Sequence, residues 1–326
     1  MTRGPALSSA AIEWVARNLA SGVSARDAVT TLVEGGVAPA IARRDVAHVA
    51  SSLLAVPLVE SLRELDRIRE LVELARDLRR GDALEELETP PDARTFFARY
   101  WATNTPVVLR GYLRSWQRPF TPTFESLRAR FGRVEVEITS NRERFDDPGP
   151  HFDELTRRST LGDFLDVVLG SPSNDQYLVA RNSALAGPLS ELLDDIEPPL
   201  DLFDTKSRRD GVSLWLGPRG TLTRLHHDGT NNLFCQVLGE KHVALVPPWE
   251  TSIMATAFGY YARARPTEAH LAPSVKRVEL APGDAIFLPV GWWHEVESLS
   301  PSLSLALVGF RRPNSYRYQP GRTPGA

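Results

Sequence analysis

The sequence predicts a mainly β protein, a sandwich or barrel of the jelly-roll type, with flanking helices and an N-terminal α-helical region. Three observations predict it. Residues 1–87 read as helical, the pair Pro90-Pro91 then changes the texture of the chain, and beyond it short apolar runs recur between turn residues. The 326 residues allow one large domain or two of ordinary size, divided here as 1–87 and 88–326. With 42% hydrophobic and 24% charged residues the chain can build a packed core, and wholesale disorder is not expected.

In "SAAIEWVARNLASG", Ile12, Val15, Ala16 and Leu19 recur at helical spacing and Gly22 suits the stop. "SARDAVTTLVEGG" repeats the pattern, with Ser24 as N-cap and Gly35-Gly36 as terminator. The strongest helical pattern is "PLVESLRELDRIRELVELARDLRRG". There Leu58, Leu62, Leu65, Val72 and Ala75 share a face with Ile68 and Leu71, and Gly81 ends the run. Such a stripe is expected to pack within its own domain, with pairing to a second copy as the alternative.

After Pro90-Pro91 the strand-like runs are "PVVLRGYL", "RVEVEIT", "QYLVARN", "VSLWLG", "NLFCQVLG", "KHVALVPP", "VKRVELAPGDAIFLPVG" and "SLSLALVGF". Helical insertions are predicted at "TFESLRARFG" and "TLGDFLDVVLG". No internal repeat or long low-complexity segment interrupts them.

Composition excludes several classes. Cys235 is the only cysteine, so intrachain disulfides and cysteine-based zinc sites are ruled out. The net charge of −3 disfavours a dedicated nucleic-acid partner. No basic segment followed by a long apolar run opens the chain, and no later stretch approaches a membrane span. A soluble, cytoplasmic protein is therefore expected, with no membrane partner. Lysine is scarce: Lys206, Lys241 and Lys276 are the only ones among 38 basic residues, which raises the question of where arginine would fail.

Chemistry concentrates in "TLTRLHHDGTNNLFCQVLGEK" and "APGDAIFLPVGWWHEV". Two histidines and a carboxylate on one face of an octahedron leave positions open for a cosubstrate and oxygen. His226 and Asp228 offer a His-x-Asp at a strand end, and His294 offers a distant third group. Taken alone, His-x-Asp is a weak signal that occurs by chance and reads first as a structural or solvated strand end, and the adjacent His227 permits a shifted register. A histidine delivered behind two tryptophans, however, is expected to be partly buried and to need a partner.

The longer stretches around them, "SLWLGPRGTLTRLHHDGTNNLFCQVLGEKHVALVPP" and "GDAIFLPVGWWHEVESL", with "NTPVVLRGYLRSW" ahead, resemble the core motifs of the cupin-like JmjC hydroxylases. That family includes the asparaginyl hydroxylase that inhibits hypoxia-inducible factor. The resemblance runs from about residue 90 to 312 and leaves out the helical N-terminus. It implies a double-stranded β-helix and dependence on iron(II), 2-oxoglutarate and O2. It also implies that His226, Asp228 and His294 are the iron ligands, and that Lys241 pairs with the distal carboxylate of 2-oxoglutarate. Thr223, Asn232 and Tyr177 take the remaining cosubstrate contacts. A carboxylate in a semi-buried pocket needs such a charged donor and neutral donors around it.

One parity conflicts with this assignment. Thr223 and His226 point to opposite faces of an ideal strand, so a bulge is required if both face the pocket. Gly309 stands where the asparaginyl hydroxylase has an asparagine near its cofactor. The tail "RRPNSYRYQPGRTPGA" is too short and proline-rich for the paired dimerisation helices of that enzyme, so a homodimer is expected to use the N-terminal helices. Trp215, Trp292, Trp293 and Cys235 are expected in core or pocket wall, His242 facing away from Lys241, and His48, His151 and His270 outside the site. The expected activity is hydroxylation of a C–H bond on a protein or peptide side chain. The alternatives are a small molecule or modified nucleoside as substrate, or a non-catalytic cupin-like binder of a metabolite or partner.

Overall fold

A computed structural model describes residues 6–20, 22–52, 55–79, 83–116, 118–146, 148, 151–199, 201–204, 211–250, 253 and 260–316. The side chains of Leu58 and Leu62, together with Gly81 and Lys206, lie outside the described residues. The chain divides into two compact units, residues 1–80 and 81–326.

The first unit is helical: α1 Ser9–Ala20, α2 Ala25–Glu34, α3 Pro39–Ser51 and α4 Ala55–Leu78. Ser24 caps α2, its hydroxyl accepting from the Asp27 N–H at 3.1 Å, and Gly36 follows with φ +90°, the left-handed conformation that stops a helix. Val15, Ala28, Leu32, Ala42 and Val46 form its small core. Two sequence expectations fail here. Ile12 is exposed, and so are Leu65, Ile68 and Leu71, whose stripe was expected to be covered within its own domain. A helix needs only the faces its neighbours reach to be apolar, and α1 and α3 are the helices that meet α4.

In the second unit the strands run in order β1 Glu85–Leu87, β2 Val107–Leu109, β3 Glu135–Thr139, β4 Thr156–Thr160, β5 Val212–Gly217, β6 Leu222–His226, β7 Asn232–Leu238 and β8 Lys241–Val246. They continue with β9 Lys276–Leu280, β10 Ala285–Leu288, β11 Trp293–Ser298 and β12 Ser302–Leu307. From β5 onward the chain shuttles between two sheets, one ordered β1-β2-β10-β7-β12-β5 and the other β6-β11-β8-β9. This alternation is the jelly roll predicted by the sequence. Phe234, Ile286 and Ala306 of the first sheet share a buried cluster with Val243, Leu245 and Val296 of the second, so the barrel interior is a packed core. The outer face of the larger sheet packs against a second cluster that includes Phe96, Phe164 and Leu192.

Both predicted helical insertions form, at Phe124–Phe131 and Leu161–Val168. The run "QYLVARN" does not become a strand: Tyr177 and Leu178 make single bridges to Thr139 and Leu216, and a short 3-10 turn follows. The boundary after residue 87 also needs correction. Glu85–Leu87 pairs in parallel with Val107–Leu109, so this segment belongs to the barrel unit. Its "EEL" reads as a helix tail in sequence, yet ladder hydrogen bonds decide which unit a segment joins, and Pro90-Pro91 lies inside the second unit. Among the described residues no helix is long and apolar enough to cross a membrane.

The turn between β7 and β8 sets where β8 begins. Gln236 lies buried beneath it and donates from Nε2 to the Leu238 and Gly239 carbonyls at 2.7 and 2.9 Å. Gly239 has φ +68°, and a Cβ there would overlap the carbonyl oxygen of Pro301. Gly239→Ala is expected to destabilise the protein by about 2 kcal/mol or more, read as a lower midpoint in denaturant. An unchanged midpoint would mean that the turn relaxes freely.

Candidate metal centre

His226 ends β6, and His294 sits directly opposite it on β11. Opposed residues on adjacent antiparallel strands send their side chains to the same face, so the ladder itself brings the two imidazoles together. Their ring centroids are 4.2 Å apart. Asp228 follows in the loop after β6, with its Oδ2 3.8 Å from His294 Nε2. One candidate ligand atom from each of His226, Asp228 and His294 lies within 4.8 Å of the others. No other group of three histidines, cysteines or carboxylates is gathered in this way among the described residues.

The imidazoles are oriented by backbone carbonyls. His226 Nδ1 lies 2.8 Å from the Arg224 carbonyl and His294 Nδ1 lies 3.0 Å from the Trp292 carbonyl. A carbonyl can only accept, so each Nδ1 carries the proton and each Nε2 presents a lone pair, as a metal requires. His227 points elsewhere. Its ring packs edge-on against Trp293 at 4.6 Å and near Tyr260 at 5.0 Å, and burial lowers its pKa. The shifted register that the adjacent histidines allowed is therefore not the one that the fold assembles.

The parity conflict at Thr223 is resolved by a bulge. His294 opposes His226 and Val296 opposes Thr223, so three steps on β6 match two on β11. The extra residue turns Thr223 onto the face that carries His226. Both then join Val296 and Ser298 of β11 and Lys241 and Val243 of β8, since Ser298 opposes Lys241 and Val296 opposes Val243.

Lys241 is 1% exposed. Its Nζ donates to the Tyr177 hydroxyl at 2.8 Å and lies 5.4 Å from the ring centres of Tyr177 and Phe234. No carboxylate pairs with it among the described residues. Tyr177 reaches this position because β5 ends in a glycine: a Cβ on Gly217 would lie 2.6 Å from Tyr177 Cδ2. Asn232 begins β7, buried, with its side-chain Oδ1 lacking a hydrogen-bond partner among the described residues. The structure thus gathers Lys241 with Tyr177, and His226 with Asp228 and His294, on elements that share one interior.

Several other expectations are met. Trp292, Trp293 and Cys235 are core residues, and Trp215 stands half-buried, 5.7 Å from the Tyr177 ring. His242 faces away from Lys241, opposite Glu279 and Glu297. Gly309 lies past the end of β12, its carbonyl bonded to the Asp204 N–H at 2.9 Å, so the wall position implied for it is not on that strand. Sequence reasoning missed Tyr261, which bridges His226 and stacks 6.0 Å from its ring, and Arg142, whose guanidinium lies 5.1 Å from the Tyr177 ring. Neither carries a motif. Gly217 did have a signal, a glycine at the end of an otherwise bulky strand.

The donor set suits a divalent metal such as iron(II): two neutral imidazoles and one carboxylate converge from one side. The buried Lys241 ammonium, which among the described residues faces a hydroxyl and aromatic rings, suits an organic carboxylate. Comparison with known proteins agrees with this chemistry. Residues 93–310 match the family model described as a cupin-like domain, and the chain belongs to that family, in its JmjC branch, whose members work with iron(II), 2-oxoglutarate and O2.

The chain is 29% identical over 225 residues to lysine-specific demethylase JMJ30 of Arabidopsis thaliana, covering 65% of this chain and 51% of the relative. It is 30% identical over 188 residues to the human bifunctional peptidase and (3S)-lysyl hydroxylase JMJD7, covering 56% and 60%. To Jumonji C domain-containing protein 5 of Drosophila melanogaster it is 34% identical over 166 residues, covering 45% and 41%. The chain spans about half the length of the curated relatives it matches.

Burial foremost, and the His226 imidazole second, push His294 down to about 4, against a weaker opposing pull from Asp228. In the unfolded chain a histidine protonates near its ordinary value of about 6.5. Below that pH the unfolded state takes up a proton that the folded state refuses, so stability present above about 6.5 is lost as the pH falls toward 4. The melting temperature of the metal-free protein should therefore fall between pH 7 and 5, and His294→Gln should flatten that slope. Parallel slopes in both proteins would contradict a buried neutral His294.

Proposed function

We propose that this protein is an iron(II)- and 2-oxoglutarate-dependent oxygenase that hydroxylates a side chain of a protein or peptide. The observation that carries the reading is the buried Lys241, without a carboxylate partner among the described residues, on the interior face that carries the His226–Asp228–His294 group. A buried ammonium is costly unless an anion completes it. The names of the demethylase and lysyl hydroxylase relatives support a protein side chain as the substrate class.

In this reading the His226 and His294 Nε2 atoms and the Asp228 carboxylate would hold the metal. Lys241 and the Tyr177 hydroxyl bind the distal carboxylate of the cosubstrate, and Thr223 and Asn232 add neutral polar contacts. Trp215, Phe234 and Val296 supply apolar walls that limit water around these charges. The bound metal and cosubstrate, with O2, supply the oxidising power that no side chain here has. The polypeptide contributes fixed ligands, an anchored carboxylate and a dry wall.

The test is anaerobic titration with iron(II) and 2-oxoglutarate, followed by exposure to oxygen and assay of succinate. Wild type should bind both and release succinate, and His226→Ala should release none. Wild type that binds neither would sink the proposal, whereas binding of 2-oxoglutarate with no succinate under any peptide substrate would leave a metabolite-binding protein. Lys241→Met separates function from stability. It should weaken 2-oxoglutarate binding about 10- to 100-fold through loss of a charge-assisted hydrogen bond. It should also raise the melting temperature of the metal-free protein, because a buried charge is replaced by an apolar chain of similar length. A lower melting temperature would show that the ammonium is satisfied without an anion.

A further inference from the structure

His226 and His294 each have a carbonyl to hold the ring, but Asp228 has no comparable support. Its side chain is 37% exposed, and no hydrogen bond orients its carboxylate among the described residues. Its position therefore depends on the backbone of the loop between β6 and β7. That loop is held from outside. The Gly291 N–H donates to the Asp228 carbonyl at 3.3 Å and the His227 N–H to the Tyr260 carbonyl at 2.9 Å.

The remaining ties come from the segment Pro313–Tyr316, which follows the barrel. Asn314 Oδ1 accepts from the Asn231 backbone N–H at 2.8 Å and from Asn231 Nδ2 at 3.1 Å. Asn314 Nδ2 donates back to the Asn231 carbonyl at 2.8 Å and to the Val308 carbonyl at 2.9 Å. Asn231 is 2% exposed, and its own Oδ1 accepts from the Val290 N–H at 2.9 Å, in the turn that leads to His294. At the other end of the loop the Tyr316 N–H donates to the Gly229 carbonyl at 2.9 Å. Glycine at 229 permits this approach, since a Cβ there would lie 3.1 Å from the Tyr316 carbonyl oxygen.

We infer that Pro313–Tyr316 is a strap that fixes the Asp228 loop against the His294 turn, with Asn314 as the positioning residue. Asn314 uses its acceptor and both amide hydrogens at once, so one side chain spans the loop, the end of β12 and, through Asn231, the turn before β11. The inference rests on the reading that His226, Asp228 and His294 hold a metal. It assigns the strap no contact with the metal: its effect passes through the loop backbone to the carboxylate.

The experiment is titration of the full chain with Co(II), without 2-oxoglutarate or oxygen, reading affinity and the visible spectrum of the bound ion. The proteins are wild type, Asn314→Ala, Gly229→Ala and Leu127→Ala. The last removes bulk from the core cluster on the outer face of the larger sheet and so matches a general loss of stability. Asn314→Ala should bind Co(II) about 10-fold more weakly, the effect expected when a ligand loses its supporting hydrogen bonds, and with a changed spectrum. Gly229→Ala should change both readouts in the same direction, because it displaces the strap without touching Asn314. Leu127→Ala should lower the melting temperature and leave affinity and spectrum at wild-type values.

Asn314→Asp keeps the acceptor but sets a carboxylate against the Asn231 and Val308 carbonyls, so it should not rescue. Wild-type affinity and spectrum in Asn314→Ala would overturn the strap and leave the metal reading intact. If Asn314→Ala does not fold, Gly229→Ala decides by the same criterion. Wild type that binds no Co(II), or His226→Ala that binds as wild type does, would overturn the metal reading and the strap with it.

Discussion

His226 and His294 face one another across the β6–β11 ladder, and the arrangement of the site follows from that opposition. Antiparallel pairing places opposed side chains on one face about 5 Å apart, which is the separation that two ligands of one metal need. Beside this pair the loop after β6 carries Asp228, its Oδ2 3.8 Å from His294 Nε2, and the next interior positions along β11 are those that oppose Thr223, Val243 and Lys241. A one-residue slip of β11 would send His294 outward and Trp293 inward. The apolar neighbours of Trp293, among them Leu225, Val246 and Leu271, hold it outside and so guard the register of the histidine beside it.

The bulge in β6 and the burial of Lys241 are departures from an ideal barrel with a common purpose. An ideal strand would keep Thr223 away from His226, and an ideal core would hold a leucine or methionine in place of Lys241. Both departures put polar groups into an interior otherwise filled by Phe234, Val243, Leu245 and Ile286. The surroundings make them tolerable. Tyr177 supplies a hydroxyl and an aromatic face to the ammonium, and Gly217 leaves room for its ring. A sequence that accepts such local costs in one place is following function rather than stability there.

Much of the site was legible because motif spacing and strand geometry agree. His-x-Asp places one ligand at a strand end and the other in the following loop, and "GWWHEV" carries its histidine at the start of a strand that must pair somewhere. The scarcity of lysine makes Lys241 stand out in the sequence alone. Other features left no mark. "EEL" at 85–87 has the composition of a helix tail, and only its partner Val107–Leu109 makes it a strand. Arg142 and Tyr261 reach the site from segments with no pattern of their own, and Asn314 sits in a tail whose composition reads as loop.

The sequence by itself determined the jelly-roll class, the helical N-terminal unit and the residue types of the centre, because alternation, periodicity and motif spacing are local properties of a chain. Only the tertiary structure decided which of two adjacent histidines enters the centre, that a bulge carries Thr223 to the same face, and that Asn314 closes over the Asp228 loop. Those outcomes depend on strand register and on contacts between segments far apart in the chain. The side chain that wins a position there is set by what packs opposite it, and its own neighbours in sequence carry no record of that.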